Sequence, residues 1–171
     1  DWFMDGIRAI YPEAWRNFVG HIDEAERGDL LEAFYRRLAD PDPGIHMPAA
    51  QAWSRFESSC SRLLHTPPQG PPGGAHPTTL GLARIEAHYF RNHMFMAENH
   101  LLDNIETITH LPAVIVQGRY DMICPIASAD ELARSWPGAD YVIVPDAGHS
   151  AMEPGIRSSL VGATERLKTI G

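Results

Sequence analysis

Two short segments carry the residue types of proton-transfer chemistry. Gly118-Arg119-Tyr120-Asp121 follows the apolar run Ala113-Val114-Ile115-Val116-Gln117, and Asp146-Ala147-Gly148-His149-Ser150 follows the run Tyr141-Val142-Ile143-Val144. A carboxylate and an imidazole so placed are candidates for the acid and base of a nucleophilic system. The Asp accepts a hydrogen bond from one ring nitrogen and fixes the tautomer, and the other nitrogen is left to take a nucleophile's proton. An imidazole suits this task because its unperturbed pKa is about 6.5. Taken singly, a loop Asp is a turn former and a lone His a satisfied polar group. The matched positions of Asp121 and His149 behind successive apolar runs favour the catalytic reading. Metal chemistry is not expected: among nine histidines, His88 and His93 are five apart and do not share a helix face, and no H-E-x-x-H or Cys/His quartet occurs. No cofactor is expected.

The elements that must position this pair can be read from period and punctuation. Both apolar runs are rich in β-branched residues and read as buried parallel strands, ended by Gly118 and by Pro145-Asp146-Ala147-Gly148. Between them Ser128 to Ser135 reads as a helix, with Ser128 as N-cap, Glu131 three residues on, and Pro137-Gly138 as the stop. Strand, helix, strand is a βαβ unit, whose parallel neighbours present their C-terminal ends on one edge. That topology brings Asp121 beside His149, with Gly148 allowing an unusual backbone angle between strand and imidazole. Pro154 opens a last helix with Ile156, Leu160, Ala163, Thr164 and Leu167 along one side, and Glu153 stands where a helix dipole favours negative charge.

The preceding residues are helical in character. Pro12-Glu13-Ala14-Trp15 reads as a helix start, and Glu24 to Leu38 as an amphipathic helix stopped by Asp40-Pro41-Asp42-Pro43-Gly44. Ala49 to Leu64 reads as a third helix with Ala52, Trp53, Phe56, Cys60, Leu63 and Leu64 on one face. The proline- and glycine-rich stretch 65–77 reads as a loop and a candidate lid rim. Helix returns from Thr79 to Tyr89 or Phe90, with Leu82, Ile85 and Tyr89 spaced to face a partner.

Composition bounds the remaining choices. A chain of 171 residues, 44% hydrophobic and 21% charged, is ordinary for a globular protein, and a net charge of −8 without a basic stripe argues against nucleic acid as a partner. No run approaches the roughly 20 apolar residues of a membrane helix, and no signal peptide opens the chain. Cys60 and Cys124 are too few for a disulfide framework. A soluble cytoplasmic protein with reduced thiols is expected.

The segments Gln117-Gly118-Arg119-Tyr120-Asp121-Met122-Ile123-Cys124-Pro125 and Val144-Pro145-Asp146-Ala147-Gly148-His149-Ser150-Ala151-Met152-Glu153-Pro154 closely resemble the acid and histidine motifs of the proline iminopeptidases. The likeness extends to Ala83-Arg84-Ile85-Glu86-Ala87-His88-Tyr89-Phe90, Ala52-Trp53-Ser54-Arg55-Phe56-Glu57 and Trp2-Phe3. The resemblance implies the α/β class, with residues 1–100 as a helical cap and 101–171 as the C-terminal part of an α/β-hydrolase core, its parallel strands flanked by helices. It implies a serine aminopeptidase that releases N-terminal proline from short peptides. In that family two cap glutamates hold the substrate's amino end, and the matching positions are Glu57 and Glu86; Phe3, Ile123 and Cys124 match positions lining the proline-ring pocket. The 171 residues contain no G-x-S-x-G elbow: Gly148-His149-Ser150-Ala151-Met152 lacks the final glycine. A partner is therefore expected, a nucleophile-bearing half in the same or a separate chain. The 65–77 stretch and Asn92-His93-Met94-Phe95 depart from the family pattern and leave cap shape and substrate size open. Rival expectations are another esterase or amidase of the same fold, and a non-catalytic interaction module.

Overall fold

The computed structural model describes residues 2–64 and 77–168. These fall into two compact units: residues up to Cys60 with those from 77 to Ala97, and Ser61 to Leu64 with the residues from Glu98 onward. The stretch expected as a loop and lid rim lies outside the described residues, except for Pro77, which opens a helix.

The first unit is helical. Helices α1 (Pro12–Val19), α2 (Leu30–Ala39), α3 (Pro43–Cys60) and α4 (Pro77–Arg91) surround an aromatic core. The helix expected from Glu24 is split: a 3-10 segment, Glu24–Asp29, precedes α2, because the Asp29 carboxylate accepts the Glu32 amide at 3.0 Å and caps a new helix there. α3 begins earlier than Ala49. Asp42 accepts the Gly44 amide at 2.8 Å, and Pro43 occupies a first-turn position where its missing N–H costs nothing. α3 also ends earlier than Leu64, whose side chain is 79% exposed. On α4 the buried residues are Ala83 and Ala87, while Leu82, Ile85 and Tyr89 are exposed, so the face expected to pack is the outer one. Two alanines one turn apart let α4 approach α2 and α3 closely.

Phe18 anchors this core. It stacks on Phe34 with ring centroids 4.2 Å apart and on Phe56 at 4.5 Å, and it meets Trp53 edge-on at 5.9 Å. Phe18, Phe34, Trp53 and Phe56 are all buried.

The second unit holds β1 (Ala113–Gly118) and β2 (Ala139–Val144), paired in parallel in the register Ala113↔Ala139 through Gly118↔Val144. A short helix α5 (His100–Asp103) precedes β1, α6 (Ile126–Ser135) connects the strands, and α7 (Pro154–Leu167) follows β2. The strands are half-buried over most of their length, not fully buried, because among the described residues the sheet has two strands; burial is complete at Gly118 and Val144. α6 starts at Ile126 behind Pro125, whose extended backbone launches it without a side-chain cap. Ser128 is thus inside the helix rather than its N-cap. Val144, Ala147 and Ile156 of the β2–α7 corner form a small core with Val116 against it. Among the described residues no helix is long and apolar enough to cross a membrane.

Replacing Phe18 with Ala removes the ring shared by four aromatic neighbours, Trp15, Phe34, Trp53 and Phe56, and should cost about 3 to 5 kcal/mol of stability. Denaturant unfolding of the variant checks this; a loss under about 1 kcal/mol would show that the cavity collapses and that the stack does not anchor the unit.

Candidate functional site

The ends of β1 and β2 are tied together by backbone. Arg119 donates its amide to the Val144 carbonyl at 2.9 Å, Tyr120 donates to Ala147 at 3.0 Å, and Asp121 turns back to Gly118 at 3.3 Å. The approach is so close that a Cβ at Gly118 would sit 1.9 Å from the Gly148 carbonyl oxygen, so only glycine fits. Gly148 is needed for a different reason than a special angle. Its φ is not left-handed, but a Cβ there would press on Leu63 N at 3.0 Å and on Ser61 O and Arg62 C at 3.1 Å.

This corner delivers Asp121 and His149 to each other. Asp121 Oδ2 lies 3.0 Å from His149 Nδ1 and also accepts from Gln117 Nε2 at 3.1 Å; Oδ1 accepts the amides of Ile123 at 3.0 Å and Cys124 at 2.8 Å. Asp121 is 7% exposed. A carboxylate so buried needs donors for both oxygens, and here it has four. An ionised carboxylate has no proton to give, so Nδ1 carries the proton and Nε2 is the basic nitrogen. The His149 side chain is 37% exposed. Its pKa is raised, first by the hydrogen bond to Asp121, with burial opposing.

Ile123 and Cys124, expected to line a substrate pocket, hold Asp121 through their backbone amides. Glu57, Glu86 and Phe3 lie in the first unit. Glu57 on α3 and Glu86 on α4 are half-buried. Glu86 Oε2 accepts the Trp53 indole N–H at 2.7 Å, and Phe3 packs on Trp53, Phe56 and Phe90 at centroid distances of 5.5, 5.3 and 5.5 Å. Phe3 and Glu86 thus share Trp53 as a neighbour.

A model of the alpha/beta hydrolase fold family matches residues 3–155. The chain belongs to this family. The hydrolase-fold chain is also 44% identical to a probable proline iminopeptidase of Leptolyngbya boryana over 96% of its own length and 52% of the relative's. It is 44% identical to the proline iminopeptidase of Arabidopsis thaliana, over 99% of this chain and 46% of that protein, and 40% identical to that of Neisseria gonorrhoeae, over 94% and 50%. The chain thus spans about half the length of the curated relatives it matches.

Within this hydrolase-fold unit three participants escaped sequence reasoning. Gln117 binds both Asp121 and the Cys124 carbonyl, the latter at 3.1 Å; the signal was a lone amide closing an otherwise apolar strand. Ser61 accepts the amides of His149 and Ser150 at 2.9 and 2.8 Å. Glu153 stands at the start of α7 as expected, and its carboxylate also accepts the amides of Gly148 and Leu63. Neither of the last two is visible in local spacing, because both bridge segments far apart in sequence. Among the described residues no group of three or more His, Cys, Asp or Glu side chains could hold a metal ion.

The hydrogen bond to Asp121 favours the protonated form of the ring, so removing the carboxylate's charge lowers the His149 pKa. Asp121→Asn should therefore lower it. An NMR titration of the imidazole checks this; an unchanged pKa in the variant would mean that Asp121 does not set the ring's charge.

Proposed function

We propose that the protein carrying this chain is a serine aminopeptidase that releases N-terminal proline from short peptides. The carrying observation is the 3.0 Å pairing of His149 Nδ1 with the buried Asp121 carboxylate at the ends of adjacent parallel strands. Similarity to proline iminopeptidases supports the substrate class. In this reading residues 1–100 serve as the cap and 101–171 as part of the hydrolase core. The nucleophilic serine is supplied by residues beyond these 171, in the same or a separate chain, and the protein works in the cytoplasm.

His149 Nε2 takes the serine proton as the hydroxyl attacks the prolyl carbonyl, and the resulting imidazolium is stabilised by Asp121. The same nitrogen then protonates the leaving amine. Water, deprotonated by His149 in turn, releases proline from the acyl-enzyme. The substrate's N-terminal proline carries a secondary ammonium, and Glu57 and Glu86 receive it. A cation taken out of water needs carboxylate partners to offset its lost hydration. Phe3 and the Ile123-Cys124 segment offer apolar surface to the ring.

Glu57→Gln and Glu86→Gln keep size and hydrogen-bonding atoms while deleting one charge. Each should weaken hydrolysis of a proline amide by at least tenfold relative to a neutral ester, since losing one partner of a desolvated charge contact costs about 2 to 5 kcal/mol. His149→Ala should abolish turnover of both substrates. Parallel kcat/KM measurements decide: equal losses on both substrates in the glutamate variants would leave a generic esterase or amidase. The 171-residue chain alone, lacking the serine elbow, should not hydrolyse proline amides; turnover abolished by a serine-directed reagent would refute the proposal that the nucleophile lies beyond it.

A further inference from the structure

The loop that carries His149 is bonded to the segment Ser61–Leu64 as well as to the turn that follows β1. The Ser61 carbonyl accepts two consecutive amides, from His149 at 2.9 Å and Ser150 at 2.8 Å. The Glu153 carboxylate closes the same contact from the other end, Oε2 accepting the Gly148 amide at 3.0 Å and Oε1 the Leu63 amide at 2.9 Å. The Glu153 anion thus bridges the residue before His149 and Leu63, which lies 90 residues from Glu153 in sequence. Both bonds are charge-assisted, and both satisfy backbone donors at a place where Gly148 has no room for a side chain. A carboxylate at the head of α7 would ordinarily turn to the helix's own amides, yet Glu153 makes no side-chain cap bond.

We propose that Glu153 is a positioning residue for His149, its carboxylate stapling the imidazole-bearing loop onto Ser61–Leu64 and so fixing how far the ring stands from the attacking nucleophile. This rests on the reading of His149 as the base. Glu153 works through backbone geometry: its carboxylate bonds main-chain amides on either side of the contact, while the ring itself is bonded to Asp121. A displacement of about 1 Å in a reacting group costs on the order of 10²-fold in rate, so loss of the staple should appear in kcat.

The experiment is Glu153→Gln in the full-length protein, assayed on a proline amide and on a neutral ester. Gln keeps the length but places an NH₂ against one of the two amides, leaving that N–H unpaired. The expected result is a fall in kcat on the order of 10²-fold, by the same factor on both substrates, with KM within about twofold and the circular dichroism of a folded protein. An unchanged kcat, a rise in KM alone, or a loss confined to the proline amide would overturn the proposal. Should the variant not fold, amide hydrogen exchange in the unsubstituted protein decides: Gly148 and Leu63 should both be protected, and free exchange at either overturns the staple. Failure of the aminopeptidase reading is separately visible, because an unsubstituted protein that cleaves the ester but not the proline amide still permits the Glu153 test. If it turns over neither, the low-field Nδ1 proton of His149 reports ring position without a substrate. That resonance should weaken in the variant, and an unaltered signal counts against the proposal.

Discussion

The second unit is organised around one electrostatic demand, the need of a buried carboxylate for hydrogen-bond donors. Asp121 is the only charged residue among the described residues that is buried. Leaving such a group unpaired would cost several kcal/mol or drive it to take up a proton. Its solvation shell is built from what the chain has at hand: two amides of the turn it begins, a strand-end amide from Gln117, and the imidazole. The first three fix the carboxylate before His149 is considered. The imidazole then meets an acceptor already aimed, which is the condition for a single tautomer.

Such aim requires the backbones of two strand ends to lie closer than side chains permit. Gly118 and Gly148 meet this constraint together, the first making way for the carbonyl of the second and the second making way for Ser61, Arg62 and Leu63. The imidazole loop is consequently hydrogen-bonded to two separate stretches of main chain, the turn after β1 and Ser61. Main chain is a stiffer support than side chain, since its donors have few rotamers to lose. Stiffness at this point matters because proton transfer depends on distance.

What could be read in the sequence follows from range of interaction. The βαβ unit and the Asp121–His149 pair were legible because a parallel crossover converts local signals, two β-branched runs with an acid and a histidine behind them, into one spatial prediction. Helix limits were less so. Local spacing carries the C-terminal end of α3 too far because Leu63 and Leu64 continue its apolar spacing, while the backbone there is committed to the His149 loop, a demand no local pattern records. On α4 the larger apolar residues pointed to the wrong face, since close packing against α2 and α3 selects small side chains rather than the most hydrophobic ones. The place of Glu153 at a helix start was legible as a local cue, and its bridge to residue 63 was not.

The first unit ties a carboxylate to its core by a comparable economy. Trp53 is fully buried, and its ring fills the centre of the aromatic cluster while its N–H holds one oxygen of Glu86. An indole buried this way needs an acceptor for its single donor, and a half-buried carboxylate needs a donor for at least one oxygen. Each therefore satisfies the other, and the rotamer of Glu86 is set by a residue that cannot move without opening the core. A substitution at Trp53 acts on packing and on Glu86 together, so stability and the aim of that carboxylate are not separable at this position. Phe3, resting on the same ring system, extends the coupling to the start of the described chain.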